Sequence, residues 1–302
     1  MKHLAEFLVH LEHVRGMSPH TVAAAARDLA ALSAEHGGVA ANPSVIDTAA
    51  LKRHMASLMG RGMARASVAR HASSIRTFFR WLQDSGHIAS DPSRPLKVPR
   101  VRRSLPKALT TEALERLLSA DDKDEFITHR DHAVLEVLYS SGVRVSELAG
   151  LEEGDLDLRS GRMRVMGKGR RERFAFLGRH AISALKAWWP FRAGVAKGHD
   201  RGRVFLNRRG TPLTDRSMRR VLARRIRAAG LPRGITPHTL RHTFATHLLS
   251  AGAGLKEVQE MLGHKHLSST QIYTHVAPAH LKKVHERAHP RGGSSPPALA
   301  DA

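Results

Sequence analysis

Residues 235–249, ITPHTLRHTFATHLL, gather His238, Arg241, His242 and His247 on one helical pattern. Imidazoles and a guanidinium in that company can ligate a metal, handle a phosphate or face water. His238 and His242 have the i, i+4 spacing of a helical chelate. The zinc-protease pattern, however, needs Glu after the first His, and Thr239 stands there. His264 and His266 are also close, with no acidic ligand beside them. A metal site is therefore disfavoured. An anion fits the segment better. Thr236 can cap the helix and Pro237 suits its first position. Leu240, Phe244 and Leu248 make the inward stripe, whereas His238 and Arg241, three apart, share another face. Near a helix N-terminus, free N–H groups and the positive dipole end favour a phosphate. For this segment alone a solvated polar face explains the pattern at least as well. His242 and His247 fit packing or solvent roles.

Other chemistries are narrowed by residue type and spacing. GRMRVMGKG resembles a Walker A loop only loosely. Five residues separate Gly161 from Gly167 where four are required, and Gly169 follows Lys168 where Ser or Thr should hold magnesium. A nucleotide triphosphatase is disfavoured. The absence of cysteine removes disulfides, thiolate nucleophiles and Cys-based zinc sites. Of the two tyrosines, Tyr139 lies in apolar company (VLEVLYSSG) and reads as core. Tyr273 lies in SSTQIYTH, where Ser268 and Gln271 form a capping box for a short helix.

The elements that must position these residues fall into two groups. Residues 1–86 read as a four-helix bundle. Leu4, Phe7, Leu8 and Leu11 form the first stripe; Ser18-Pro19 opens a second helix; a third runs from about Thr48 to Met59. A fourth carries Val68, Ala72, Ile75, Phe78, Phe79 and Leu82. Residues 87–108 are proline-rich and, from Arg94 to Lys107, basic without an acid, which reads as an extended linker. From 109 to 288 the pattern is mixed. Helices begin near Thr110 and Ser146 and end at Gly142 and Gly263. RMRVMGKGRRERFAFLG reads as a hairpin, with Met163 and Val165 on one arm, Phe174 and Phe176 on the other. RVFLN, 203–207, is a possible third strand. APAHLKKVHERAHP reads as a last short helix, and residues 289–302 as a disordered tail. The fold class is mainly α of the α+β kind: a four-helix domain plus a mixed domain with a small antiparallel sheet.

Lys and Arg number 49 against 27 acids, a formal charge of +22. Such a field attracts polyanions, nucleic acid first and anionic membrane second. The basic residues are scattered through folded segments, which favours an extended duplex-binding surface over a basic arm. No run approaches a membrane span. The amphipathic MKHLAEFLVHLEHVRG carries Glu6 and Glu12 and does not resemble a signal peptide. A cytoplasmic, nucleoid-associated protein is expected.

Taken together, SGVRVSELAGL, VMGKGRRERF, HTLRHTFATHLL, LGHKHLSSTQIYTHV and the terminal HPR resemble the tyrosine recombinases of the phage integrase family, Xer subfamily. The resemblance covers nearly the whole chain. SPHTVAAAARDL belongs to a SAM-like core-binding domain, with the catalytic domain following. Each motif alone is weak, but six catalytic positions in order are specific. The resemblance implies a catalytic set of Arg144, Lys168, His238, Arg241, His264 and the nucleophile Tyr273. RFAFLG departs from the family's usual Pro before Gly, away from any catalytic position. It further implies a 3′-phosphotyrosyl intermediate, no ATP, metal or other cofactor, and a C-shaped clamp on double-stranded DNA at a dif-like site. Its partners would be a paralogous Xer recombinase, two copies of each in a tetramer, and an FtsK-like translocase as activator. The last helix would dock into a neighbouring protomer. Arg65 and Arg70 are candidates for DNA contact or for a solvated face. The alternatives are a mobile-element integrase, a type IB topoisomerase, or an inert DNA-architectural protein with the same fold.

Overall fold

A computed structural model of the chain describes residues 2–37, 42–97, 108–120, 123–167, 172–198, 200–263 and 277–293. The chain divides into two compact units, 1–104 and 105–302. In the first, α1 (Leu4–Val9) runs into a π-helical turn (His10–Val14). It is followed by α2 (Pro19–Glu35), α3 (Thr48–Gly60) and α4 (Arg65–Asp84). Local chemistry sets the starts. The Ser18 hydroxyl accepts from the Thr21 N–H at 3.3 Å with Pro19 in the first turn. Asp47 Oδ1 accepts from the Ala50 N–H at 2.7 Å. The α4 stripe predicted from spacing is wholly buried, and it meets Phe7, Leu29, Leu32 and Leu51 in one core.

Two expectations change in this unit. Part of the proline-rich stretch is docked: Leu96 is buried in the helical core and the Thr48 hydroxyl donates to the Pro92 carbonyl at 2.7 Å. Residues 98–107 lie outside the described residues. Arg70 pairs with Asp28, a buried carboxylate that also accepts from the Ser74 hydroxyl at 2.8 Å and pairs with His71 Nε2 at 3.0 Å. Arg70 neutralises an internal acid through Nη1 while its side chain stays about half exposed, and Arg65 is exposed.

The second unit contains α5 (Thr111–Ser119), α6 (Glu125–Ser141), α7 (Val145–Ala149), α8 (Arg179–Val195), α9 (Asp215–Ala228), α10 (Pro237–Ser250), α11 (Leu255–Leu262) and α12 (Pro278–Ala288). The helix α6 is buried on all sides from Ala133 to Ser141 and packs against α5, α8, α9 and α10. That suits its nearly continuous apolar run. Three antiparallel strands lie in the order β1 (Leu156–Asp157), β2 (Arg162–Met166), β3 (Glu172–Phe176). The predicted hairpin is present, but its third strand is 156–157. Residues 203–207 make only the isolated bridges Glu152↔Arg203 and Leu206↔Pro212. Register pairs Met163 with Ala175 and Val165 with Arg173. Alternation turns Arg173 and Ala175 inward and leaves Phe174 46% exposed, whereas Phe176, at the end of β3, is buried as its aromatic ring suggests.

The C-terminal helix forms as expected. In this chain Leu281, Val284, His285 and Ala288 are buried, and α12 packs against α10, α11 and β3. The stretch expected to be disordered is anchored at its start. His289 is buried, and Arg291 Nη2 bonds Glu136 Oε1 at 2.6 Å. The Arg291 backbone lies against Gly178, where there is no room for a Cβ. Residues 294–302 lie outside the described residues. None of the described helices is long and apolar enough to cross a membrane.

Candidate active site

The helix α10 opens as its sequence predicts: the Thr236 hydroxyl accepts from the Thr239 N–H at 3.2 Å, and Pro237 occupies the first turn. Leu240, Phe244 and Leu248 are fully buried. That stripe fixes the helix's rotation and with it Arg241. Arg241 is 6% exposed, and its guanidinium spans two helix C-termini. Nη1 donates to the carbonyl of Gly142, the αL cap of α6, at 2.5 Å; Nη2 donates to the carbonyl of Leu262, the last residue of α11. Free carbonyls at helix ends carry partial negative charge and hold a cation well. Gly142 admits no side chain, because the Phe244 ring fills that space. Burial first, then the positive charges of Arg144 and Arg173, pull the Arg241 pKa down to about 10, so it stays a cation at neutral pH.

Arg144 caps α7. Its backbone N–H donates to Glu147 Oε2 at 2.9 Å and its Nη1 to Glu147 Oε1 at 2.7 Å. Its Nη2 lies 3.5 Å from the Gly263 carbonyl. The guanidinium is about two-fifths exposed, so it is held on one edge and open on another. Arg241 and Arg144 therefore reach successive carbonyls, those of Leu262 and Gly263, immediately before His264. The αL conformation of Gly263 (φ 65°) ends α11 and presents them.

His238 stands exposed in the first turn of α10, one turn ahead of Arg241. Lys168, His264 and Tyr273, together with the predicted Ser268–Gln271 capping box, lie outside the described residues. Tyr139 is fully buried, as its neighbours predicted, and its hydroxyl meets His247 Nδ1 at 2.8 Å. Burial raises the Tyr139 pKa, which suits packing and not attack. Among the described residues, one trio of side chains brings possible metal-ligand atoms within 4.8 Å: His3, Glu6 and His87. The His3 and His87 rings stack at 3.8 Å.

Sequence reasoning missed two residues. Glu147 is buried and takes Arg144 on one oxygen and Arg173 Nη2, at 2.8 Å, on the other. Its signal was present: an acid three residues after an arginine at a helix start. Arg173 was hidden by the aromatics flanking it. The group thus holds three guanidiniums and one carboxylate. Burial of the acid and the crowding of the cations favour an anion, and forked donors match a phosphate's oxygens.

Residues 107–280 match the model of the phage integrase family, and residues 4–86 match the phage integrase N-terminal SAM-like domain. The chain belongs to the phage integrase family of tyrosine recombinases. It is 39% identical to the tyrosine recombinase XerC of Thermodesulfovibrio yellowstonii, over 95% of this chain and 96% of that one. The XerC of Pseudomonas aeruginosa is 41% identical, over 95% and 94%. Among solved structures, the recombinase resembles XerH bound to a palindromic difH substrate in a post-cleavage complex (TM-score 0.67, 24% identity, 90% of this chain and 81% of that one). The Tn1549 transposon integrase on transposon right-end DNA gives a TM-score of 0.69 at 19% identity, over 89% and 95%. These likenesses concern the fold. As a tyrosine recombinase the protein is a DNA strand-transferase.

Proposed function

We propose that this recombinase cuts and rejoins DNA at a dif-like site and resolves chromosome and plasmid dimers to monomers before division. The observation that carries the reading is the convergence of Arg144 and Arg241 on the Leu262–Gly263 carbonyls, one residue before His264. The near full-length similarity to relatives named XerC supports the biological role.

The chemistry is a transesterification. The Tyr273 oxygen attacks the scissile phosphorus, a new P–O bond forms, and the bond to the 5′ oxygen breaks. The product is a 3′-phosphotyrosyl link and a free 5′ hydroxyl. One ester replaces another, so the bond energy is kept and neither ATP nor another cofactor is needed. A phenol with an ordinary pKa near 10 needs help at neutral pH. His238 serves as general base or acid beside it. Arg144 and Arg241 take up the charge that builds on the non-bridging oxygens, and His264 adds a donor. Lys168, which lies between β2 and β3 in the sequence, protonates the leaving 5′ oxygen. Attack by a 5′ hydroxyl from the partner duplex reverses the step and completes the exchange.

Exchange between two duplexes takes four active sites. The reading therefore includes a tetramer on DNA with a paralogous Xer recombinase, two protomers of each, and activation by an FtsK-like translocase. The test is a plasmid carrying two directly repeated copies of the host's dif-like site, with both recombinases. Resolution to smaller circles is expected only when both sites are present. Relaxation of supercoils on a plasmid without the site would point instead to a topoisomerase.

A further inference from the structure

The proposed mechanism uses Arg144 and Arg241 and leaves the third guanidinium, Arg173, without a role. It projects from the inward face of β3, five residues beyond Lys168. Only one of its nitrogens has a described partner: Nη2 donates to Glu147 Oε2 at 2.8 Å, while Nε and Nη1 are buried without a hydrogen-bond partner among the described residues. Its Nε lies so close to Gly263 that a Cβ there would stand 2.6 Å away. Arg173 thus lies under the residue whose carbonyl faces Arg144 and which precedes His264. Stability does not account for this. A guanidinium whose buried donors have no partner among the described residues costs free energy, and an apolar side chain in its place is often neutral or stabilising.

Resting on the functional reading above, we propose that Arg173 is a positioning residue: through the shared carboxylate of Glu147 it fixes the Arg144 guanidinium against the scissile phosphate and adds a third positive charge beside it. Glu147 is the hinge of the argument. A carboxylate has two oxygens. Oε1 is held by the Arg144 guanidinium, and Oε2 by Arg173 together with the Arg144 backbone N–H, so its plane is fixed, and so is the forked edge of Arg144 that remains exposed. Without Arg173, Oε2 keeps only the Arg144 backbone N–H, the full charge of the carboxylate falls to Arg144, and its guanidinium is drawn towards Glu147 and away from the DNA. The electrostatics run the same way. Burial first lowers the pKa of Arg173 and of Arg241; Glu147 opposes this, and the neighbouring arginines, Arg144 on Arg173 and both on Arg241, lower them further, so the three charges repel one another. A phosphate arriving between them relieves that repulsion, and the growing charge of the transition state relieves it further.

The test uses the full chain, the partner recombinase and a nicked substrate bearing the dif-like site. Single-turnover cleavage is measured for wild type, Arg173→Gln and Arg173→Lys on a normal scissile phosphate. It is repeated on a methylphosphonate, in which a neutral methyl replaces one charged non-bridging oxygen. Thermal unfolding and DNA affinity are followed alongside. On the phosphate, Arg173→Gln should cleave about a hundredfold more slowly, as for loss of one preorganised donor, with Arg173→Lys between it and wild type. On the methylphosphonate that deficit should shrink to a few-fold, because less charge remains to be matched. Equal deficits on both substrates would mean a structural part only and overturn the proposal, as would a Gln variant that cleaves normally. If Arg173→Gln unfolds, the folded Lys variant carries the comparison between substrates. A wild type that cleaves neither substrate would remove the functional reading, and this proposal with it. Cleavage by wild type with no substrate-dependent deficit in the variants would remove this proposal alone.

Discussion

At the scale of single residues, the proposed chemistry is concentrated where cations meet helix ends. Arg241 costs free energy to bury, yet two helix-terminal carbonyls hold it in place before DNA arrives. Preorganisation of that kind lowers the barrier because the dipoles need not turn during reaction. Arg241→Ala should therefore slow cleavage about 10²–10³-fold with only a small loss of DNA affinity, read by single-turnover cleavage beside a binding titration. A loss confined to affinity would make Arg241 a binding residue. Gly263 is constrained twice, by φ 65° and by Arg173 beneath it. Gly263→Ala should cost about 1–2 kcal/mol in chemical denaturation. It should lower cleavage by more than that loss implies, since Arg173 and the start of the following segment must both shift.

At the scale of elements, the sequence is legible where one residue type has one structural use. Ser18, Thr110 and Thr236 cap helices, and Gly142 and Gly263 end them with positive φ. The stripes of α4 and α10 are buried as their spacing requires. Legibility fails where long-range partners decide. No local pattern says that Asp28 is internal, that Arg70 serves it, or that strand register turns Arg173 inward and Phe174 out. The proposed site was legible in the same measure: Arg144 and Arg241 come from motifs and Glu147 has a local signal three residues after Arg144, whereas Arg173 emerges only when β3 meets Glu147. One prediction belongs here. Asp28→Ala strands the buried His71 and releases Arg70, and should destabilise the N-terminal unit by about 3 kcal/mol, read from its denaturation midpoint. A change under about 0.5 kcal/mol would show that the buried pair contributes little.

At the scale of the whole molecule, two bulk properties have consequences. The first is acid sensitivity of the C-terminal anchor. His285 and His289 are fully buried and stacked at 4.9 Å, and His285 Nε2 donates to the Ser140 carbonyl at 2.6 Å. Burial pulls His285 down to about 4, and burial with the neighbouring His285 holds His289 well below its ordinary value. Both are neutral when folded and take up protons more readily when unfolded. Stability is thus full above the unfolded pKa of about 6.5 and falls as pH drops from there towards 4. Denaturation of the catalytic unit from pH 7.5 to 5 should show that slope, and His285→Met should flatten it. An unchanged slope in the variant would place the protons elsewhere. The second property is charge. At +22, DNA binding should weaken about 10³-fold or more between 50 and 200 mM salt through counterion release, whatever the sequence of the duplex.

The central claim is that a tyrosine oxygen, served by the arginines at the end of α11, becomes joined to DNA. The most direct measurement is covalent trapping on a nicked suicide substrate carrying the dif-like site, with the partner recombinase present. The trapped band is digested and the DNA-linked peptide identified by mass. The account predicts a 3′-phosphate joined to Tyr273 in the wild type and no adduct for Tyr273→Phe, which still binds the same DNA. An adduct on another residue, or one that persists in Tyr273→Phe, would contradict it.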